Sequence, residues 1–333
     1  MKRILTGAGA LLLIVLIGAG IYLWDPLPAN PSASVLAANA ANYDVEVIRD
    51  EFGVPHIHGA RDTDAAFGLA YAHAEDDFET IQETVAAGRG VMAHYRGKDA
   101  APLDYIVALL GVWNTMDARY AADVPDDVKA MAEAYATGLN LYAAENPQAT
   151  WRGLAPFTAE DVVAGFVFKT PFFYGLDETL LHLFGEDYTQ AIALDPAAGR
   201  KAFMIGPKTM AERGSNGIAV SASRAGDHVT RLVINSHQPL SGPVAWYEAQ
   251  ISSDEGLDIT GGIFPGTPVI LHGFNANLGW ANTVSAQDLV DTYVLTVNPD
   301  NANQYKLDGE WVNFAESTAT LHVKLVGPFA LKV

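Results

Sequence analysis

Two hydrophobic rhythms meet near Ser215, and a chain that carries both must stack helices on a sheet. Ahead of Ser215 the apolar positions recur at steps of three and four. Ala66, Leu69, Ala70, His73 and Ile81 do so within residues 62–88, and Met131, Tyr135, Leu139 and Tyr142 within 125–146. That spacing puts one apolar stripe along an amphipathic helix. Beyond Ser215 the pattern changes to short apolar runs divided by Gly, Pro, Asn and Asp. Residues 217–220, 231–235, 246–251, 259–264, 269–273, 278–283 and 292–297 each have strand length. Helices followed by strands predict a layered α+β domain.

The helical half has readable ends. Asp62 or Thr63 is expected to cap the helix over 62–88. Phe157-Thr158-Ala159-Glu160 has the form of a capped helix start running towards Phe168, which Pro171 interrupts. Residues 178–191 read as a further helix. The pattern fades after Asp195, so residues 196–214 read as an exposed spacer. Residues 43–49 alternate apolar and polar side chains and predict a strand. A turn at Phe52-Gly53 leads to a second, on which His56 and His58 share one face by period two. No third ligand stands at a recognisable spacing from them, so they read as ordinary strand histidines. Glu75, Asp76 and Asp77 read as a solvated acidic face, with pairing to Arg89 or Arg96 as the alternative.

At the other end, Lys2 and Arg3 precede an uncharged run over residues 4–24. A basic start before an apolar run is an export signal, here a signal peptide or a membrane anchor spanning residues 1–24. The chain behind it is expected outside the cytoplasm, periplasmic or anchored facing outward. Residues 25–42, rich in Pro, Ala, Ser and Asn, read as a linker. Domain organisation then follows as a helix-rich region over 43–195, the spacer, and a strand-rich region over 215–333.

Composition removes several classes of function. The net charge is −19, from 39 acidic and 20 basic side chains. Nucleic-acid binding depends on basic stripes and is not expected. Contact with an anionic membrane is expected only through the N-terminal segment. The chain has no cysteine. Disulfides, thiolate metal sites and cysteine nucleophiles are therefore absent. Phosphate-binding glycine loops, a His-Glu-x-x-His helix and a Gly-x-Ser-x-Gly elbow are also missing.

Arg213-Gly214-Ser215-Asn216-Gly217, at the change of rhythm, is by itself only a turn sequence. Its surroundings give it more content. VIRDEFGVPHIHG, FGLAYAHAEDDFETIQ, RGSNG, INSHQPL, AWYEAQI, FPGTPVILHGFNANLGWANT and QDLVDTYV occur in this order. Together they resemble the penicillin acylase family of N-terminal-nucleophile hydrolases, most closely its acyl-homoserine-lactone and aculeacin-type (lipopeptide) acylase branch. The resemblance runs from about residue 43 to the end.

That resemblance implies a precursor that cuts itself between Gly214 and Ser215, giving α and β chains that stay together in an αββα sandwich. Ser215 would become a free N-terminus whose α-amine serves as its own base. His237 would orient Ser215, and the backbone N–H of Val284 would donate to the oxyanion. Glu178, Asp288, the carbonyl of Val290 and Asp291 match a structural calcium site in some relatives, and no organic cofactor is implied. Phe172, Phe173, Tyr174 and Trp246 are candidates for an apolar acyl pocket.

The family's second oxyanion donor is an asparagine further along, which Asn235, Asn275 and Asn277 do not match. The sandwich is therefore expected to be incomplete and the chain a truncated precursor. The implied activity is hydrolysis of an N-acyl amide to a carboxylic acid and an amine. Acyl-homoserine lactones, β-lactam side-chain amides and acylated peptides all remain open as substrates. The alternative is a non-catalytic envelope binding protein, or an inactive fragment, that keeps the fold.

Overall fold

The computed structural model describes residues 15–174, 176, 215–283, 291 and 293–333. Helix and sheet are mixed, as the two rhythms predict. The helices are α1 (Ala33–Leu36), α2 (Asp62–Gly88), α3 (Met92–Arg96), α4 (Ala101–Leu109), α5 (Val112–Asp123), α6 (Asp126–Glu145) and α7 (Ala159–Lys169). The predicted helix over 178–191 and the spacer lie outside the described residues.

A six-stranded sheet carries the fold, in the order β1-β2-β5-β6-β7-β8. Its strands are β1 (Val45–Arg49), β2 (Pro55–Gly59), β5 (Tyr247–Ser253), β6 (Asp258–Ile263), β7 (His272–Phe274) and β8 (Gly279–Trp280). Strand β2 is buried at alternate residues: Ile57 points inward while His56 and His58 are exposed. The inward face, with Ile57, Ala249, Ile251 and Ile263, packs against Leu69, Ile81, Tyr135 and Leu139 from α2 and α6. The outward histidines bond along the sheet, His56 Nδ1 to Gln250 Oε1 at 2.8 Å and His58 Nδ1 to Ser252 Oγ at 3.1 Å. One sheet face is thus under helices, and the other carries polar side chains.

Helices α2 and α6 approach closely because α6 has a glycine at their contact. A Cβ on Gly138 would lie 2.3 Å from the Phe67 carbonyl oxygen. Neither Asp62 nor Thr63 caps helix α2: Arg61 takes the cap position, and Asp64 Oδ2 accepts from the Arg61 backbone N–H at 3.0 Å. Burial pushes the Asp64 carboxyl up, but the Arg61 guanidinium and two backbone N–H groups outweigh it and hold it below the ordinary range. Helix α2 also kinks at Asp77, whose side chain accepts from Thr80 N–H and starts the second half. Helix α7 begins as expected, with Thr158 and Asp161 bonding each other's backbone N–H.

The acidic face on α2 is neither free nor paired with Arg89 or Arg96. Arg49 on β1 reaches Glu75 at 3.1 Å and Asp76 at 2.8 Å. Arg89 instead binds Asp161 through two nitrogens and donates to the carbonyls of Leu154 and Pro156. Arg96 turns to Glu79 and Glu83.

Helices α3, α4 and α5 are not visible in the periodicity because each is short and buries too little for a stripe; α5 buries only Val112 and Met116. Several strands are shorter than their apolar runs. In the run 269–273 only the end pairs, because Ile270 is buried from the preceding loop without joining a ladder. In the run 292–297, residues 293–296 form no strand and β9 is Val297–Asn298. Past it come β10 (Asn301–Leu307), β11 (Glu310–Asn313), β12 (His322–Val326) and β13 (Phe329–Lys332), in a three-stranded sheet β11-β10-β9 and a hairpin β12-β13.

Residues 25–42 do not run free as a linker. Leu36 enters the main core, and Asn30 bonds the Trp151 carbonyl at 3.0 Å and the Gly153 N–H at 2.7 Å. Before them, residues 15–23 are helical, with Val15, Leu16, Ile17 and Ile21 exposed. Among the described residues no helix is long and apolar enough to cross a membrane. Residues 4–14 of the apolar run lie outside them.

Two expectations follow. Gly138→Leu should destabilise the protein by about 3 kcal/mol in urea denaturation, because the side chain meets backbone at the helix contact; wild-type stability would mean that α2 and α6 can separate at no cost. The second concerns His73, which is 1% exposed on α2 and stacks on Tyr247 at 3.9 Å. Burial pushes its imidazole down from 6.5 to about 4. The unfolded chain therefore binds the extra proton first, and stability falls as pH drops from about 6.5 towards 4. In His73→Phe that part of the stability–pH profile should flatten, and an unchanged slope would assign it to other groups.

Candidate functional site

Ser215 is the first residue of β3 (Ser215–Val220), which pairs antiparallel with β4 (Arg231–Ser236). The register sets Ser215 opposite Ser236, so His237, the next residue, emerges beside the start of β3. The Asn216 side-chain amide nitrogen lies 3.1 Å from His237 Nε2. The amide donates and the imidazole accepts, which places the ring proton on Nδ1. Thr283 Oγ1 donates to the Ser215 carbonyl at 3.4 Å. Ser215 is half-buried and His237 is exposed.

The hairpin β3-β4 docks beside β8, where small residues leave room. A Cβ on Gly279 would lie 2.4 Å from Leu232 Cδ2, and one on Gly217 would touch Ala281. Gly279 pairs with Phe274, two residues along β7 from His272, so the hairpin meets the sheet face turned away from the helices.

Trp246 lies on that same face. Its indole covers Gly262, stacks on Phe264 with centroids 4.1 Å apart and meets the edge of His272 at 4.4 Å. Phe173 extends the cluster, stacking on Phe264 at 6.1 Å. Phe172 points elsewhere: its ring meets Phe168 at 5.3 Å, within a separate cluster that includes Val107, Val112 and Met116. The Tyr174 side chain lies outside the described residues. Of the pocket candidates, the structure brings Trp246 and Phe173 together.

Four buried polar atoms around this face have no hydrogen-bond partner among the described residues: Ser236 Oγ, Gln238 Oε1, Trp246 Nε1 and His272 Nδ1. Three more such atoms, of His73, Thr84 and Tyr135, lie among the helices. Burial also pushes the His272 imidazole down. Lys169, at the end of α7, donates to the Pro265 carbonyl at 3.1 Å, and burial pushes its ammonium down to about 8. Neither His272 nor Lys169 stood out in the sequence. A single cation in the apolar run FVFKTPFF was the available signal for Lys169.

Gly214, Val284, Glu178, Asp288 and Val290 lie outside the described residues. Asp291, the remaining calcium candidate, is exposed.

The sequence model of the penicillin amidase family matches residues 44–332. The acyl-homoserine lactone acylase PvdQ of Pseudomonas putida is 28% identical, over 97% of this chain and 42% of that protein. PvdQ of Pseudomonas fluorescens is 26% identical, over 92% of this chain and 41% of the relative. QuiP of Pseudomonas aeruginosa, also described as an acyl-homoserine lactone acylase, is 24% identical over 92% and 41%. The chain thus spans about two fifths of the length of these curated relatives. A thermostable penicillin G acylase from Alcaligenes faecalis aligns in structure with a TM-score of 0.34 and 19% identity, covering 50% of this chain and 98% of that one. That likeness is too low to carry an argument about the fold. The family match spans nearly everything from β1 to β13, and on it the chain belongs to the penicillin amidase family.

Proposed function

We propose that this chain is the part of an N-acyl amide hydrolase that carries the nucleophile, Ser215. The observation that carries the reading is the position of Ser215, in a family member, as the first residue of a strand, with His237 emerging beside it. A serine hydroxyl needs a base. Cutting between Gly214 and Ser215 frees an α-amine, whose ordinary pKa near 8 lets it take the hydroxyl proton. Ser215 Oγ then attacks the amide carbon, and the proton passes to the departing amine nitrogen as the C–N bond breaks. Water, deprotonated by the same amine, attacks the acyl ester and releases the carboxylic acid with Ser215 restored. The Val284 backbone N–H is proposed to donate to the oxyanion, and His237 to position Ser215 through its neighbour Asn216.

The unpaired polar atoms of Ser236, Gln238, Trp246 and His272 support the reading, since they border the same face and are available to ligand or water. The aromatic surface of Trp246, Phe264 and Phe173 supports an apolar acyl group. Relatives described as acyl-homoserine lactone acylases make a fatty-acyl amide the first substrate class to test. Export through the basic and apolar N-terminal segment belongs to the same proposal.

The test is Ser215→Ala in the complete precursor. Both the cut and the hydrolysis should be abolished, read by mass spectrometry for a peptide beginning at Ser215 and by release of free amine. Wild-type hydrolysis in that variant would overturn the mechanism. Uncut but folded wild-type protein would favour the binding-protein alternative.

A structural calcium ion is the second part of the proposal. Glu178, Asp288, the Val290 carbonyl and Asp291 form an all-oxygen donor set of the kind calcium prefers. Removing calcium with a chelator should lower the Tm of the complete protein by several degrees, and Ca2+ but not Mg2+ should restore it. An unchanged Tm would exclude a stabilising ion at these residues.

A further inference from the structure

The strongest unexplained cluster lies away from Ser215, where the chain leaves its N-terminal helix. Asp25, His94 on α3 and His322 on β12 each present one ligand atom, and the three atoms all lie within 4.8 Å of one another. His322 Nδ1 is 2.5 Å from Asp25 Oδ2, and His94 Nε2 is 3.8 Å from the same oxygen. The two imidazoles are stacked, 5.6 Å between centroids and 25° from parallel. All three side chains are partly buried.

Backbone contacts hold these residues independently of the side-chain cluster. The Asp25 N–H donates to the Pro328 carbonyl at 2.9 Å, and Trp24 bridges to Phe329 with their rings edge to face. Arg152 donates to the Leu27 carbonyl at 2.8 Å. At the start of α3, the buried Asp104 carboxylate accepts from the Met92 and Ala93 N–H groups, both at 2.8 Å, and so orients the turn that carries His94. Three elements distant in sequence therefore deliver two imidazoles and a carboxylate to one point, with residues 24–25 held on the hairpin that carries His322 and the His94 Nε2 donating to the Asp25 backbone carbonyl at 3.0 Å. A cavity of about 200 Å³ adjoins it, lined by Asp25, His94, Lys324 and Phe329 among others.

The geometry points to a divalent transition-metal site, of the Zn2+ class, formed by Asp25, His94 and His322. Two nitrogens and one carboxylate oxygen are the donors that zinc accepts, with water completing a tetrahedron. Calcium, which takes six to eight oxygens, is a poor match. Zinc bonds of about 2.0–2.2 Å put neighbouring donors roughly 3.3–3.6 Å apart. The two separations, 2.5 and 3.8 Å, fall on either side of that range, and an ion would replace the 3.0 Å bond from His94 Nε2 to the Asp25 backbone carbonyl. The adjoining cavity has room for a water that would complete the set. Lys332, 3.7 Å from Asp25 Oδ1, occupies the carboxylate's other oxygen and is half-exposed, free to swing into solvent. An ion here would be a staple: it ties residues 25–31, α3 and the hairpin β12-β13 together.

The experiment uses the untagged full chain after chelator treatment, titrated with Co2+ as a coloured zinc substitute and then with Zn2+ by calorimetry. One equivalent of Co2+ should develop the intense visible bands of a tetrahedral site, and Zn2+ should abolish them. His322→Ala and Asp25→Asn should each weaken Zn2+ binding at least tenfold, while the double variant of the exposed pair, His56→Ala with His58→Ala, should leave it unchanged. Asp25→Asn keeps the shape of the side chain, so it remains informative if His322→Ala fails to fold. No Co2+ bands in the folded wild type would overturn the site, leaving an ordinary Asp–His ion pair. Equal affinity in wild type and Asp25→Asn would also overturn it, as would loss of binding in the His56 and His58 variant.

Discussion

The parallel pairing of β2 with β5 is the contact on which the rest of the structure depends. It sets His56 beside Gln250 and Ile57 beside Ile251, joining chain from both sides of Ser215 in one sheet. Burial makes this joint durable: Ile57 and Ile251 are both in the main core, under Leu69, Ile81 and Tyr135. Parallel strands need a long connection, and here that connection includes every long helix of the described structure. A cut at Gly214 would leave two chains sharing this sheet and core, so separation would require unfolding both. Self-cleavage would then be compatible with stability, because the shared sheet and core join the two parts by strand pairing and side-chain packing.

The same sheet has two unlike faces. Its inner face is apolar and closed by α2 and α6. Its outer face receives the β3-β4 hairpin, Trp246 and His272, and four of the seven buried polar atoms without a partner among the described residues lie there, the others being on the helices. Gly279 and Gly262 are the residues that allow this, each leaving space that a side chain would fill. Beneath the sheet, Arg49, Asp76, Tyr247 and His73 form a polar layer in which Tyr247 donates to Asp76 at 2.6 Å while stacking on His73. That layer ties β1 and β5 to the kinked part of α2, and it explains why an acidic run on that helix is only half-exposed.

Residues 25–42 and the hairpin β12-β13 show long-range organisation of another kind. A Pro- and Ala-rich segment has no periodicity of its own, yet it lies on the helices through Leu36 and Asn30 and meets the hairpin at Trp24 and Asp25. Composition describes what a segment does in isolation. It carries no information about a surface built elsewhere that the segment can bury itself against.

What the sequence by itself determined is local. The stripe through Leu69 and Ile81 defines α2, the Thr158 cap defines the start of α7, and alternation defines β1 and β2, because each signal lies within a few turns or pleats. The seven ordered motifs were sufficient to identify the family. The candidate residues Ser215, His237 and Trp246 stand in the sequence as identities, but not as an arrangement. Tertiary structure decided which of two adjacent phenylalanines reaches Phe264 beside Trp246, since Phe172 and Phe173 are equivalent until the helix end turns one toward Phe168 and the other toward Phe264. It decided the partners of Arg49, Arg89 and Arg96, because an ion pair depends on distance in space and all three lie among several carboxylates in sequence. It also brought Asp25, His94 and His322 together from opposite ends of the chain. Such convergence is set by packing of whole elements, and no spacing along the chain records it.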